Sequence, residues 1–287
     1  MSGGPDSLAL LLLAAQVLPG RIAAATVDHG LRAESAAEAA MVAKVCAGLG
    51  VPHETLPVQL APGNLQASAR AARYAALADW MERHGLAALA TAHHADDQAE
   101  TLLLRLNRAS GVAGLAGVRA RAVVPGTRLP LLRPLLDFRR AELGAVVAAA
   151  GIAAAQDPSN TDQRFDRARI RQALAAADWI DVPALAESAR HLAEADAALD
   201  WAARREWEEA VTPMPLGLTY RPQAPRAVAL RVLGRIVQEL GGEEPRGGTL
   251  ARLFDTLLAR QPMSVGDLVA RPMPDGWTFT RAPQRRG

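Results

Sequence analysis

A glycine-rich segment near the start of the chain, Ser2–Ser7 with the sequence SGGPDS, could cradle a phosphate group. Its two glycines, Gly3 and Gly4, let the backbone turn sharply and come close to an anion. The helix that follows would point its first amide groups at the same anion. Asp6 would repel a bare phosphate, but its carboxylate suits a divalent cation held between protein and phosphates. The segment therefore predicts a magnesium–nucleotide site, with a simple helix cap as the alternative.

The absence of a lysine from this segment restricts the phosphate chemistry. P-loop enzymes follow their glycines with a lysine that reaches the outer phosphates. The only lysine of this chain, Lys44, lies in a different predicted helix. A phosphate-binding site made of amide groups, hydroxyls and a metal ion favours cleavage between the α- and β-phosphates, with pyrophosphate as the leaving group.

A second cluster combines two histidines with carboxylates in the sequence TAHHADDQAET. His93 and His94 leave a predicted strand in opposite directions, so one of them suffices to face a ligand. Asp97 follows His93 by four residues, and a helix would bring it back toward that histidine. Asp96 and Glu100 share a helical face. Besides a nucleotide site, the pattern fits a metal-dependent hydrolase or a helix N-terminus with capping acids.

Two arginines lie between these clusters, in the helix predicted to begin near residue 65. Arg70 and Arg73 fall on one face of that helix. Arg73 could neutralise charge that develops on a phosphate. An exposed arginine pair on an amphipathic helix is the alternative.

Alternating strands and helices must position these residues. The apolar runs that predict strands are 21–27, 51–58 and 86–92, and the predicted helices are 7–18, 34–48, 65–84 and 96–108. This alternation predicts an α/β fold, a Rossmann-like parallel sheet with helices on both faces. Ligands of such sheets bind at the carboxyl ends of the strands. The segments that fall at this edge are Ser2–Ser7, Asp28–His29 and His93–Glu100.

The rest of the chain predicts a small second domain. Helices are predicted at 139–150, 166–176, 183–210, 225–240 and 248–260, with short strands near 267–271 and 277–281. Four prolines between residues 213 and 225 mark a boundary. We therefore predict a nucleotide-binding domain over 1–180, a connecting helix over 181–210 and a small, mostly helical domain over 211–287.

Composition bounds the class of protein. Half of the 287 residues are apolar, and neither a membrane-spanning run nor a signal peptide is evident, which predicts a cytoplasmic protein without membrane partners. The single cysteine, Cys46, excludes a disulfide framework and a cysteine-based zinc cluster. Residues 102–140 hold eight arginines against one acid, and 164–171 add four more. Such a belt suits a nucleic-acid backbone, with a solvated surface as the alternative.

Several motifs carry a resemblance to a known family. Ser2–Ser7 resembles the PP-loop of the N-type ATP pyrophosphatases. Within that superfamily the chain resembles the tRNA-isoleucine lysidine synthases, in the segments 27–32, 63–74, 92–101, 110–117 and 157–160. The resemblance covers residues 2 to about 175 closely and the region 210–287 loosely.

The resemblance implies a ligase that forms a carbon–nitrogen bond. ATP would adenylate the C2 carbonyl oxygen of the wobble cytidine in a CAU anticodon, that of a minor isoleucine tRNA. Free L-lysine would then attack C2 and displace AMP. The implied cofactors are ATP and Mg²⁺, the implied partners are tRNA and lysine, and a homodimer is an open expectation.

The resemblance also implies roles for individual residues. ATP would be held by Ser2, Gly3, Gly4, Pro5, Asp6 and Ser7, with Asp28 and His29 at the same edge and Asp6 on magnesium. Catalysis would involve Asp6, Arg73, His93 and Asp97. The candidates for holding the charge of lysine are Asp96 and Glu100. The predicted tRNA contacts are Arg133, Arg139, Arg140, Arg167, Arg169, Arg171 and the 211–287 domain.

The nucleophile imposes one more requirement. The ε-amine of free lysine has a pKa of about 10.4, so it is mostly protonated at neutral pH. A base must take that proton, and His93 and Asp97 are both candidates.

Other functions predict different residues. A PP-loop thiolase needs cysteines to carry sulfur or a cluster, and this chain has one. A PP-loop ligase for small molecules would not need the arginine belt. A metal-dependent hydrolase leaves the glycine loop unexplained. A nucleic-acid-binding module without activity is a further alternative, and ATP–pyrophosphate exchange that depends on a cytidine-bearing tRNA would separate all four.

Two expectations concern the ends of the chain. A phosphate loop of this fold connects a strand to a helix, and nothing precedes Ser2 that could form the strand. We therefore expect the first strand to be missing and the natural protein to begin upstream. Residues 277–287 resemble a tail, so we also expect the chain to lack the additional tRNA-binding domain of longer family members.

Overall fold

A computed structural model describes residues 1–30, 34–58, 65–155, 166–241 and 247–282. The chain divides into two compact units. The first comprises Met1–Ser110 and Gly114–His191, and the second comprises Gly111–Ala113 and Leu192–Gly287. The domain boundaries predicted at residues 180 and 210 stay predictions.

The N-terminal part alternates helices with short strands. Its helices are α1 (Pro5–Val17), α2 (Glu34–Gly48), α3 (Leu65–Arg83), α4 (Ala95–Leu106), α5 (Val112–Leu115), α6 (Arg140–Ala149) and α7 (Asp166–Ala176). Its strands are β1 (Ala24–Asp28), β2 (His53–Pro57), β3 (Leu89–Ala90), β4 (Arg121–Val123) and β5 (Pro130–Leu132). The predicted α/β alternation is confirmed.

The strand pairings are mainly parallel. β1 pairs in parallel with β2, from Ala24 opposite His53 to Asp28 opposite Pro57. β3 pairs in parallel with β5, while β4 runs antiparallel to β5. In the described part of the chain, no strand pair joins the β1–β2 sheet to the β3–β5–β4 sheet. The amino group of Met1 donates to the carbonyl oxygen of Ala25, which places the glycine loop beside β1.

The strand predicted over 86–92 shrinks to Leu89–Ala90. The amide of Leu86 closes the end of α3 by donating to the carbonyl oxygen of Met81 at 2.9 Å, so it does not belong to a strand. Strands β4 and β5 were not predicted, because three residues each are too few to show alternation.

Helices cover both faces of the β1–β2 sheet. Ala25 packs in a cluster with Tyr74 and Met81 of α3, whereas its neighbour Ala24 packs in another cluster with Val42 of α2. Successive strand residues point to opposite faces, so α3 and α2 lie on opposite sides. This confirms the predicted layering.

The C-terminal part combines helices with an antiparallel sheet. Its elements are α8 (Val182–Ala210), β6 (Val211–Met214), β7 (Gly217–Tyr220), α9 (Arg226–Glu239), α10 (Gly247–Leu258), β8 (Met263–Val265), β9 (Leu268–Met273) and β10 (Gly276–Arg281). The strand order is β6-β7-β10-β9-β8, and every pair is antiparallel. Its core includes Tyr220, Leu233, Leu253, Trp277 and Phe279.

The sequence predicted only two of these five strands. The three that it missed, β6, β7 and β8, are three or four residues long. Segments that short carry little periodicity, so the C-terminal part is better described as a sheet with two packed helices than as mostly helical. Within the described ranges, no helix is long and apolar enough to cross a membrane.

Candidate active site

The glycine loop is held in one conformation by backbone geometry. Gly3 has φ +71°, a left-handed value that favours glycine. A Cβ at Gly3 would also lie 3.0 Å from Cε of Met41. The carbonyl oxygen of Gly3 accepts a 2.9 Å hydrogen bond from the amide of Ala155. Gly4 is the N-cap of α1, so the loop delivers Asp6 into the first turn of that helix.

Two serine hydroxyls close the loop around the start of α1. The Oγ atoms of Ser2 and Ser7 lie 3.1 Å apart. Ser7 donates to the carbonyl oxygen of Gly4 at 3.0 Å, and the amide of Gly4 lies 3.4 Å from Oγ of Ser2. Hydroxyls and amides are thus concentrated at the positive end of a helix dipole, where an anion is stabilised.

Asp6 fits a magnesium ligand. One of its carboxylate oxygens, Oδ2, lies 3.5 Å from Nε2 of His94. The other, Oδ1, is buried and has no hydrogen-bond partner among the described residues. A buried acceptor without a partner raises the free energy of the folded state, and a cation would relieve this. The described residues contain no group of three or more metal-ligating side chains, so the cation would depend on substrate phosphates for further ligands.

His94 connects the glycine loop to the start of α4. Its ring is 2% exposed, and Nε2 also lies 3.5 Å from Oδ2 of Asp97. Nδ1 lies 3.6 Å from Oδ2 of Asp96. Burial alone would lower the pKa of His94, but the hydrogen bond with Asp6 and the charges of Asp97 and Asp96 outweigh it and raise the pKa. The ring therefore lies within 3.6 Å of three carboxylates, and their negative charges favour its protonated form.

The sequence singled out His93 as the catalytic histidine and gave His94 no role. The two rings contact different residues, and alternation along a strand cannot tell which of them reaches the glycine loop. The informative signal is the acidic residue inside that loop, because it needs a cationic neighbour when it is partly buried.

His93 faces a different environment. Its Nδ1 lies 3.0 Å from Oγ1 of Thr91, which fixes the ring. Burial lowers the pKa of His93 to about 4, against the opposing charge of Asp97. Three arginine charges add to this lowering, those of Arg133, Arg167 and Arg70. His93 is therefore neutral at pH 7.

The two carboxylates expected to bind lysine both contact arginines. Oδ2 and Oδ1 of Asp96 accept from Nε and Nη2 of Arg139 at 3.2 and 3.1 Å, and Oδ2 also accepts from the amide of Arg140 at 2.8 Å. Burial raises the pKa of Asp96, but these bonds reverse the shift and lower it. Glu100 is 2% exposed and accepts from Nε of Arg171 at 2.7 Å. An amino acid would have to share or displace these arginines, and the assignment stays a prediction.

The edge of β1 brings Asp28, His29 and Arg73 together. The carboxylate of Asp28 accepts from the amide of Gly30 at 2.9 Å and from the hydroxyl of Ser35 at 2.8 Å, and both bonds lower its pKa. Burial and then the charge of Arg73 lower the pKa of His29, whose Nδ1 is buried without a partner in the described ranges. Arg73 of α3 thus reaches the predicted nucleotide edge.

The arginines predicted to bind tRNA do not form one exposed belt. Arg133 is only 8% exposed, and Arg139 and Arg171 pair with the carboxylates described above. Arg140 is half-buried, whereas Arg167 and Arg169 are exposed on α7. Sequence could not separate these cases, because the burial of an arginine depends on its tertiary neighbours.

Known proteins resemble this chain over its full length. A family model described as the PP-loop domain matches residues 1–177. A tRNA(Ile)-lysidine synthase of Novosphingobium aromaticivorans is 52% identical over 100% of this chain and 89% of its own. A tRNA(Ile)-lysidine synthase of Zymomonas mobilis is 39% identical over 100% of this chain and 88% of its own.

A solved structure shares the fold alone. The U34-tRNA thiolase NcsA from Methanococcus maripaludis, determined with its 4Fe-4S cluster, superimposes with a TM-score of 0.54. The match covers 67% of this chain and 68% of the thiolase, at 16% sequence identity.

Proposed function

The chain belongs to the tRNA(Ile)-lysidine synthase family of PP-loop proteins, and from this premise we propose that it ligates lysine to a tRNA. ATP adenylates the C2 oxygen of the wobble cytidine in a CAU-anticodon isoleucine tRNA and pyrophosphate leaves. The ε-amine of lysine then bonds to C2, and AMP leaves with the C2 oxygen. The observation that carries the proposal is the meeting of Asp6 with His94 and Asp97. It joins a nucleotide-binding loop to ionisable groups from another helix.

The glycine loop would hold ATP through the first amides of α1 and the hydroxyls of Ser2 and Ser7. Mg²⁺, bound to Asp6 and to the phosphates, would offset their negative charge. Arg73, whose charge acts on His29, would stabilise charge that develops on the phosphates during adenylation.

The lysine amine must lose a proton before it attacks. His93 is neutral at pH 7, so a ring nitrogen can accept a hydrogen bond from the amine, but its pKa of about 4 makes it a weak base for that proton. Asp97 faces both histidines and is the second candidate base. Asp96 and Glu100 remain the candidates for positioning the amino acid.

The arginines of α7 and of residues 133–140 would contact the tRNA, together with the predicted 211–287 domain. Arg167 and Arg169 are exposed, so they can reach a phosphate without any rearrangement. A homodimer and a cytoplasmic location stay predictions.

The sole cysteine argues against a thiolase. Cys46 is the one cysteine in the sequence, and it is fully buried in an apolar cluster with Leu11, Ala24 and Val42. Burial raises the pKa of its thiol, so a thiolate is disfavoured. The likeness to the thiolase structure therefore extends to the fold and not to its sulfur chemistry.

The test is the release of AMP from labelled ATP by the purified full chain. Minor isoleucine tRNA is compared with initiator methionine tRNA, which also carries CAU, each with and without lysine. We expect AMP release only with the isoleucine tRNA and lysine together. Equal release in the absence of lysine would contradict the proposal.

A further inference from the structure

Arg133 is the most buried arginine of the described residues, at 8% exposure. It follows β5, and its Nη1 donates to the carbonyl oxygen of Arg119 at 2.6 Å. Its Nε is buried and has no hydrogen-bond partner in the described part of the chain. A buried guanidinium needs a counter-charge or a full set of acceptors. The described residues place no carboxylate within 4.0 Å of it, so its charge is not balanced by an ion pair with them.

Other polar groups converge on the same place. The phenol of Tyr74 lies close enough to the guanidinium of Arg133 to interact with it, but its buried hydroxyl lacks the geometry of a direct hydrogen bond to any described residue. The guanidinium of Arg70 lies over the Tyr74 ring, 5.1 Å from its centroid. Arg70, Arg133 and Arg167 all act on His93, where Asp97 is the opposing charge.

Arg133 differs from two other arginines of the site in that it contacts no carboxylate of the described residues. Arg139 and Arg171 each make two hydrogen bonds to a carboxylate, Asp96 and Glu100 respectively. Burial lowers the pKa of Arg133, Tyr74 opposes this, and the charge of Arg70 lowers it further. The two like charges repel each other, and an anion bound between them would be attracted to both.

We infer that Arg133 and Arg70, which both lie against Tyr74, form a phosphate-binding subsite near His93, separate from the glycine loop. The planar, multidentate donors of arginine match the oxygens of a phosphate group. The inference rests on the proposed function, in which both large substrates carry phosphates. The phosphate comes either from the RNA backbone next to the target cytidine or from the pyrophosphate end of ATP.

Two substitutions test the subsite without removing its scaffold. Arg70→Met removes an exposed guanidinium and leaves the fold intact. Arg133→Lys keeps the buried charge but loses the multidentate donor. Arg121→Met is the matched control, since Arg121 is exposed on β4 in register with Leu132, one residue before Arg133. Thermal melting of each variant verifies folding.

Binding to the resting full chain is measured with two probes. Inorganic pyrophosphate is titrated by calorimetry, and a CAU anticodon stem-loop RNA is bound on filters at several salt concentrations. We expect each of the two variants, but not the control, to bind one of the two probes about tenfold more weakly than the wild type does. Weakened stem-loop binding identifies an RNA phosphate, and the salt slope should then fall by roughly 0.7 in Arg70→Met but stay unchanged in Arg133→Lys, which keeps its charge. Weakened pyrophosphate binding identifies ATP as the source.

Unchanged affinity for both probes in Arg70→Met and in any folded Arg133→Lys would overturn the inference. So would a rise in the KM for lysine alone, because the anion would then be the carboxylate of the amino acid. Neither binding measurement requires turnover, so the subsite can fail while lysine-dependent AMP release persists. Conversely, loss of lysine dependence in the wild type would contradict the proposed function and leave the binding results standing.

Discussion

Two adjacent histidines divide the candidate site into halves of opposite charge. His94 is 2% exposed among three carboxylates, and their interactions raise its pKa. His93 lies among three arginines, and burial together with their charges lowers its pKa to about 4. One residue along the chain therefore separates a ring whose pKa is raised from a ring whose pKa is lowered. The difference shows that a single strand-to-helix connection can present two environments of different charge.

Each half contains a buried polar atom without a hydrogen-bond partner among the described residues. On the acidic side, Oδ1 of Asp6 has no hydrogen-bond partner in the described ranges, which favours a cation. On the basic side, Nε of Arg133 is likewise without a described partner, which favours an anion. Adenylation fits the first half, because it uses a metal nucleotide. Attack by lysine fits the second, because it needs a neutral base.

The largest effect should follow from substitution of Asp6, the proposed magnesium ligand in the acidic half of the site. Asp6→Asn should lower tRNA-dependent ATP–pyrophosphate exchange by at least about 100-fold, because an amide oxygen carries no charge for the cation. Stem-loop binding should be unchanged. Asp79→Asn, at an exposed position of α3, is the control. Normal AMP release by Asp6→Asn at saturating magnesium would contradict this assignment.

Removal of the His94 ring should destabilise the fold. His94→Gln leaves Asp6 and Asp97 without the ring that lies between them, and should lower the free energy of unfolding by about 3 kcal/mol. Urea denaturation at pH 7 measures this. His191→Gln alters an exposed histidine of α8, 61% exposed at the side chain, and should change stability by less than about 0.5 kcal/mol. Equal stability of the two variants would show that the carboxylates do not depend on the His94 ring.

The neutral ring of His93 should make the stability of the fold depend on pH. Because the pKa of His93 is about 4 in the folded protein against an ordinary 6.5, the unfolded state binds the extra proton between these values. Stability conferred by the neutral ring is present above pH 6.5 and is lost as pH falls toward 4. Between pH 7 and 4 the free energy of unfolding of the wild type should fall by about 2 kcal/mol more than that of His93→Gln. This figure allows for the partial exposure of the His93 ring.

Denaturant titrations at pH 7, 5.5 and 4 measure the difference between the wild type and His93→Gln. Parallel stability curves for the two proteins would mean that His93 titrates normally, and the contrast between the histidines would disappear.

The smallest effect should distinguish two arginines of one helix. Arg167 acts on His93, whereas Arg169 lies 3.9 Å from Asp166. Arg167→Met should weaken stem-loop binding by about threefold, and Arg169→Met by less, since a partly neutralised surface charge contributes less to binding. Filter binding at low salt compares them. A larger loss with Arg169→Met would place the RNA on the other side of α7.

Features set by local sequence were predictable. The glycine loop, the helix that begins at Pro5 and the acids at the start of α4 depend on backbone rules that act over a few residues. The convergence of these segments followed from the rule that parallel strands end at one edge. Strands of three or four residues escaped prediction because they are too short for alternation to show.

Features set by tertiary neighbours were not predictable. Nothing within α4 indicates that Glu100 is buried against Arg171, 71 residues away. Arg133 belongs to an arginine-rich segment and was expected at the surface, yet it lies inside beside Tyr74. The role of His94 depends on Asp6, which belongs to the glycine loop and lies far from His94 in the sequence.

The most direct test is the mass of the wobble nucleoside after reaction. The wild-type chain is incubated with minor isoleucine tRNA, ATP, Mg²⁺ and lysine, and the tRNA is digested to nucleosides for mass spectrometry. The wobble cytidine should gain the mass of one lysine less one water, and only when ATP and lysine are both present. An unchanged cytidine despite ATP consumption, or a gain corresponding to sulfur in place of oxygen, would contradict lysine ligation at this site.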